Sequence, residues 1–187
     1  MRQLRIGITG SPATGKRTLG LALTKELGLP FLSLNEVAKS GGYLVPGVGG
    51  EPLLDSEALR RVAARILPKG GYVVAGVYLA ESIPTGLMDY VIVLRCNPLI
   101  LARRYEERGY DEKKKKENLT AEFLDSCLEA ALQSYGKKVR EVDSTGKEAA
   151  QVLGEVLPTL RRGAFRVGVV DWLSLVGGPE DLVRFMI

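Results

Sequence analysis

Short runs of consecutive apolar residues punctuate the chain, and between them apolar positions recur every three or four residues. The runs lie at 4–9, 31–34, 72–75, 89–95 and 139–142. Unbroken apolar runs of this length, without polar alternation, read as strands buried on both faces. The amphipathic stretches read as helices at 19–27, 56–67, 98–108 and 148–160. A further helix starts at Asn118 or Thr120 and continues to Tyr135, with Phe123, Leu124, Cys127, Leu128 and Leu132 as its apolar residues. Strands and helices alternate, so the expected fold is α/β, a parallel sheet of about five strands covered by helices on both faces.

Punctuation supports these boundaries. Gly28 and Pro30 stop the first helix, Asp55 is a natural cap for the helix at 56–67, and Asn97 precedes Pro98 at a first helical position. Asn35 is positioned to cap a short helix at 36–40. The stretch 41–50 is glycine-rich and reads as irregular. It is either a plain surface loop or a mobile cover over a second substrate site, and its length favours the second. A strand is expected at 166–170, and the apolar residues at 171–173 and 182–186 are expected to pack on the domain.

Chemistry enters with the stretch between the first strand and the first helix, Gly10-Ser11-Pro12-Ala13-Thr14-Gly15-Lys16-Arg17-Thr18. A strand, a glycine-rich loop with Gly-Lys, and a helix form the context of a phosphate-binding loop. Gly10 and Gly15 permit backbone angles and approaches that a Cβ would block. The loop amides and the helix N-terminus can then converge on one anion. Lys16 adds a point charge for terminal phosphates. An ordinary turn before a helix is the bland alternative, and the complete context argues against it. Arg17 stands where most such loops carry a Ser or Thr for magnesium, and Thr18 follows.

With 187 residues, 45% of them hydrophobic and 26% charged, the composition is that of one globular domain. No apolar run is long enough for a membrane span. The first strand begins so close to Met1 that a signal peptide is not expected, so a cytoplasmic location is. The chain has no histidine, which excludes histidine-based catalysis and metal ligation. Two cysteines, Cys96 and Cys127, make neither a disulfide framework nor a metal cluster, and Cys127 reads as core. The net charge of +4 permits an acidic partner such as nucleotide or RNA. Scarce Asn and Gln hint at a thermophilic source.

The basic cluster of Arg103, Arg104, Arg108 and Lys113 to Lys116 is interleaved with Glu106, Glu107, Asp111, Glu112 and Glu117. It is either a solvated helix end or a lid that closes on phosphate. Arg104 and Arg108 lie four apart, on one helix face, and could reach one polyphosphate. RNA binding through Lys113 to Lys116 is less well supported, because few aromatics lie near to stack bases.

These elements carry a resemblance. Val91 to Arg95, followed by Arg104-Tyr105-Glu106-Glu107-Arg108-Gly109-Tyr110-Asp111-Glu112-Lys113-Lys114 and Asn118, resembles the archaeal and eukaryotic adenylate kinase family whose human member is called CINAP. The loop from Ile8 to Thr18, the spacing of Glu122, Glu129, Ser134 and Tyr135, and the stretch from Val167 to Leu173 are similar to that family too. The resemblance implies a three-layer P-loop NTPase fold of adenylate kinase type. It implies one domain over 1–187, an AMP-side region at 35–67, a short lid at 105–120 and a C-terminal extension at 163–187. It implies ATP at Gly10, Ala13, Thr14, Gly15, Lys16, Arg17 and Thr18. Lys16, Arg104 and Arg108 would be catalytic, with Arg104 also on the nucleotide and Lys147 beside the base. It implies ATP and AMP or ADP as ligands and magnesium; no metal ligand is assigned, Thr18 being the one candidate, and a monomer is expected because nothing in the sequence calls for a dimer. Implied activities are adenylate kinase and ATPase. A role in small ribosomal subunit maturation and rRNA processing, through a platform ribosomal protein, is implied as well. Three positions depart from the family. Ala75 and Val77 stand where an Asp and a His are usual, and Ala13 stands where a Gly is usual. The alternative reading is therefore a nucleotide-binding assembly factor with little or no turnover.

Overall fold

The computed structural model describes residues 4–47, 52–162 and 166–175. The order of elements begins β1 (Arg5–Thr9), α1 (Lys16–Leu27), β2 (Phe31–Ser33), α2 (Leu34–Gly41), β3 (Leu44–Pro46), β4 (Pro52–Leu54) and α3 (Ser56–Ile66). It continues β5 (Tyr72–Ala75), α4 (Leu79–Ser82), β6 (Tyr90–Arg95), α5 (Pro98–Glu107), α6 (Glu112–Phe123), α7 (Ser126–Tyr135), β7 (Val139–Asp143) and α8 (Ala149–Arg162).

The main sheet has five parallel strands in the order β2-β5-β1-β6-β7. Alternation along each strand separates two cores. Ile6, Ile8, Ile92 and Leu94 face α1 and α8 through Leu19, Leu23, Val152 and Val156. Val74, Val91, Val93 and Val139 face the opposite layer, which includes Ala63, Leu79, Leu128 and Tyr135. Each cluster removes apolar surface from water at about 25 cal/mol per Å². The fold is thus the expected three-layer α/β sandwich. β1 is central, with β5 and β6 on either side. The connection after β1 runs towards β2 and the one after its neighbour β6 runs the other way, towards β7, so the two diverge and open a crevice at the C-terminal ends of these strands, where open α/β sheets bind ligands.

Several local expectations are corrected. Ser33, not Asn35, caps α2, accepting from the Glu36 amide, and the helix extends from Leu34 to Gly41. Asn35 lies inside that helix. The stretch read as irregular contains β3, which pairs antiparallel with β4 as a small second sheet. Residues 48–51 between them lie outside the described residues. The helix expected from Asn118 or Thr120 begins instead at Glu112, capped by Asp111 Oδ1 on the Lys114 amide at 2.8 Å. It breaks at Leu124 and Asp125 before α7. The strand expected at 166–170 is reduced to one parallel bridge between Arg140 and Arg166. Trp172 is buried there, while Leu173 is exposed. The apolar patch at 182–186 lies outside the described residues.

Candidate phosphate-binding site

From β1 to α1 the chain must turn out of a buried strand and into a helix, and its backbone shows what this requires. Gly10 has φ 135°, and a Cβ there would lie 2.2 Å from the Leu94 carbonyl oxygen. Gly15, with φ 98°, immediately precedes α1, and no side chain caps that helix. Its first amides are therefore left for an anion. Ala13 also adopts the left-handed conformation, with φ 62°. Lys16 folds back over the loop, where its Nζ donates to the Gly10 and Ser11 carbonyls at 2.8 Å each. Burial lowers its pKa to about 8, Glu122 and Cys127 oppose that shift, and the charge of Arg108 adds to it.

A cleft of about 430 Å³ opens beside this loop. Ala13, Thr14, Gly15 and Thr18 form one wall, Arg104 and Arg108 a second, and Lys147 a third. Arg104 sits on α5, and its Nη1 donates to the Ala13 carbonyl at 2.8 Å. Arg108 caps the C-terminus of the same helix. The Tyr105 hydroxyl donates to the Pro12 carbonyl at 3.0 Å, and its ring stacks on Tyr110 with centroids 5.2 Å apart. Burial raises the pKa of that phenol. On the far side, the Ser144 hydroxyl donates to the Thr14 carbonyl at 3.0 Å. Lys147 pairs with Glu155 at 2.8 Å.

Arg17 is not part of this set. Its guanidinium turns toward α2, pairing with Glu36 and lying over the Phe31 ring at 5.9 Å. Its exposed position suits a link between the loop helix and α2 better than a metal ligand. The fit to magnesium is poor on the same grounds. Mg²⁺ usually takes one or two protein carboxylates together with phosphate oxygens. The end of β5 supplies only Ala75, and the loop after it Val77. Among the described residues, no cluster of three acidic, cysteine or histidine side chains could hold a metal. Thr18 is exposed at the cleft, and the carboxylates that line it, Glu107 and Glu148, come from α5 and from just before α8 rather than from the loop or the end of β5.

The family model described as an AAA domain matches residues 6–125. A protein of Thermococcus kodakarensis named "Putative adenylate kinase" is 40% identical over 172 residues, covering 89% of this chain and 92% of the relative. Relatives of the same name are similar in length. That of Methanocaldococcus jannaschii is 35% identical and covers 90% and 93%. That of Archaeoglobus fulgidus is 36% identical and covers 96% and 98%. The chain belongs to this adenylate kinase-like family. Among solved structures, a gluconokinase from Sinorhizobium meliloti is similar with a TM-score of 0.54 at 21% identity, covering 87% of this chain and 94% of that one. The shikimate kinase from Aquifex aeolicus gives 0.52 at 20% identity, covering 94% and 100%. At such identities both speak for the P-loop kinase fold alone.

In this adenylate kinase-like chain several residues at the site escaped the reading of the sequence. Ser144 and Tyr105 act through hydroxyls on loop carbonyls, which no spacing rule anticipates. Glu122 did carry a signal. It is a carboxylate on the buried side of α6 beside Leu119 and Phe123, and such a residue needs partners. Cys127, read as core, is half-buried, and burial raises the pKa of its thiol. No helix among the described residues is long and apolar enough to cross a membrane.

Proposed function

We propose that this protein is an adenylate kinase-like phosphotransferase that converts ATP and AMP into two ADP. The observation that carries the reading is one cleft bordered by the glycine loop, Arg104, Arg108 and Lys147 at the C-terminal end of β1. Phosphoryl transfer asks a protein mainly for positioning and for neutralised charge. In this reading the loop amides and Lys16 hold the β- and γ-phosphates of ATP. Lys16 leaves the carbonyls of Gly10 and Ser11 for the phosphate oxygens. Arg104 and Arg108 neutralise charge on the transferring group. Thr18 faces the phosphates, and Lys147 lies beside the base. The acceptor occupies the side formed by α2, the β3–β4 hairpin and α3. An oxygen of the AMP phosphate attacks the γ-phosphorus, the bond from that phosphorus to the β-bridging oxygen breaks, and ADP leaves on each side.

Ala75, Val77 and the outward Arg17 favour a second reading, a nucleotide-binding assembly factor with little or no turnover. Its role in small ribosomal subunit maturation, through a ribosomal protein partner, follows only from the family resemblance. One assay separates the two. ADP formation from ATP is measured with and without AMP in excess magnesium salt, with Lys16→Ala as the control. The kinase reading expects AMP-dependent ADP that falls at least about 100-fold in the variant, the usual scale for losing one donor to the transferring group. ATP binding by calorimetry without AMP-dependent ADP would move the weight to the assembly factor.

A further inference from the structure

One buried carboxylate ties together segments far apart in the sequence. Glu122 lies in the last turn of α6 and is buried. Its Oε2 accepts from the Ser11 hydroxyl at 2.6 Å. Its Oε1 accepts from Arg95 Nε at 2.9 Å, from the Cys96 amide at 3.1 Å and from the Trp172 indole N–H at 3.0 Å. The donors come from the phosphate loop, the end of β6, the residue after it, and the C-terminal segment. Four protein donors thus engage it, close to the number a carboxylate accepts.

Arg95 extends the network. It donates to Glu141 at 2.8 Å, to the Glu122 backbone carbonyl at 3.0 Å and to Asp125. The Trp172 ring lies 6.0 Å from its guanidinium. Glu141 in turn accepts from the Val169 amide at 2.8 Å. Burying these charges costs solvation, and an apolar cluster of equal volume often stabilises a fold as well or better. What such a network supplies that an apolar cluster does not is directional placement of the groups it binds. Ser11 is where placement matters. Its carbonyl accepts from the Lys16 ammonium at 2.8 Å and from the Thr14 hydroxyl at 2.9 Å, while its side chain is held by Glu122.

We propose that Glu122 is a positioning residue that sets the phosphate loop through Ser11, and that Trp172 couples the C-terminal segment to the loop through the same carboxylate. The proposal rests on the nucleotide reading of the loop. A triphosphate that draws Lys16 away from the Ser11 carbonyl alters what Glu122 holds at one end. The indole at the other end shares that carboxylate. In the reverse direction, displacing the segment at 166–175 frees an acceptor on Glu122 and loosens its hold on Ser11.

Trp172 is the sole tryptophan of the chain, so its fluorescence is a local reporter. The full chain is titrated with a non-hydrolysable ATP analogue, following tryptophan emission and calorimetry together. The expected result is an emission change that saturates along the calorimetric isotherm. Ser11→Ala abolishes that change while still binding the analogue, with Kd raised up to about tenfold, the scale of one lost charge-assisted hydrogen bond. Trp172→Phe keeps a ring over Arg95 but lacks the N–H. It raises Kd severalfold in the native background and less than twofold in Ser11→Ala, a non-additivity expected of residues coupled through a shared partner. Glu122→Gln gives the same loss of the emission response where it folds, and the two milder variants decide the matter where it does not. An unchanged emission in the presence of calorimetric binding overturns the proposal, as do strictly additive effects on Kd. A role in stability alone would lower the melting temperatures and leave the emission response in place. Absence of calorimetric binding to the native chain is a different outcome: it removes the nucleotide reading, and this proposal falls with it.

Discussion

At the scale of single residues, Lys16 has the most to say about conditions. Its ammonium is held by two carbonyls, and loss of hydration there brings its pKa to about 8, below the usual lysine range. In the unliganded protein the charge is therefore present below pH 8 and lost above it. Phosphate oxygens at the site would favour the charged form and raise the pKa of the complex. By linkage, ATP affinity is then flat below pH 8 and falls as pH rises beyond it, by at most about tenfold per pH unit. Calorimetric titrations at pH 7, 8 and 9 check this, with Lys16→Ala expected to remove the dependence. An affinity unchanged from pH 7 to 9 would place the lysine outside the binding event. That Gly10 and Gly15 needed to be glycine was legible from the loop pattern, because both occupy positive φ. Ala13 was not legible in the same way. Its left-handed backbone, whose carbonyl meets Arg104, is visible only in three dimensions.

At the scale of elements, α6 shows where pattern reading runs out. Its first two turns carry Lys113 to Lys116, and the first apolar residue on its buried face is Leu119. A search for apolar periodicity therefore starts the helix too late. The overlooked signal was local: Asp111 as a cap followed by Glu112 in the first turn, a favourable arrangement for the helix dipole. Once formed, the basic run is partly engaged by neighbours. Lys115 pairs with Glu112 at 2.6 Å and reaches Glu106 at 3.5 Å, and Lys114 lies over the Tyr110 ring at 5.1 Å. The basic stretch is thus part of a helix tied to α5. Asp111→Ala should destabilise it by about 1 kcal/mol, the usual cost of a lost N-cap. Hydrogen exchange at the amides of 112–116 should speed up, while exchange in β1 and β6 stays as it was. Equal acceleration throughout would mean that the cap acts on global stability instead.

At the scale of the whole molecule, the layered architecture was legible because buried parallel strands and amphipathic helices leave different patterns. The order β2-β5-β1-β6-β7 was not, since periodicity names strands without saying which are neighbours. Nor was the network around Arg95, which joins residues from β6, α6, β7 and the C-terminal segment that no local window contains. Its consequence is thermal. The solvation penalty of buried ion pairs shrinks as temperature rises, so the pairs of Arg95 with Glu122 and Glu141 weigh more in favour of the fold when hot than when cold. The scarcity of Asn and Gln points the same way. The chain should unfold in one cooperative transition with a melting temperature above about 60 °C, beyond the common mesophile range. ATP at about 100 times its Kd should contribute roughly 2.7 kcal/mol and raise that temperature by about 5–10 °C. Scanning calorimetry measures both. A transition below about 60 °C would contradict the thermal argument, and a transition indifferent to saturating ATP would contradict the nucleotide site.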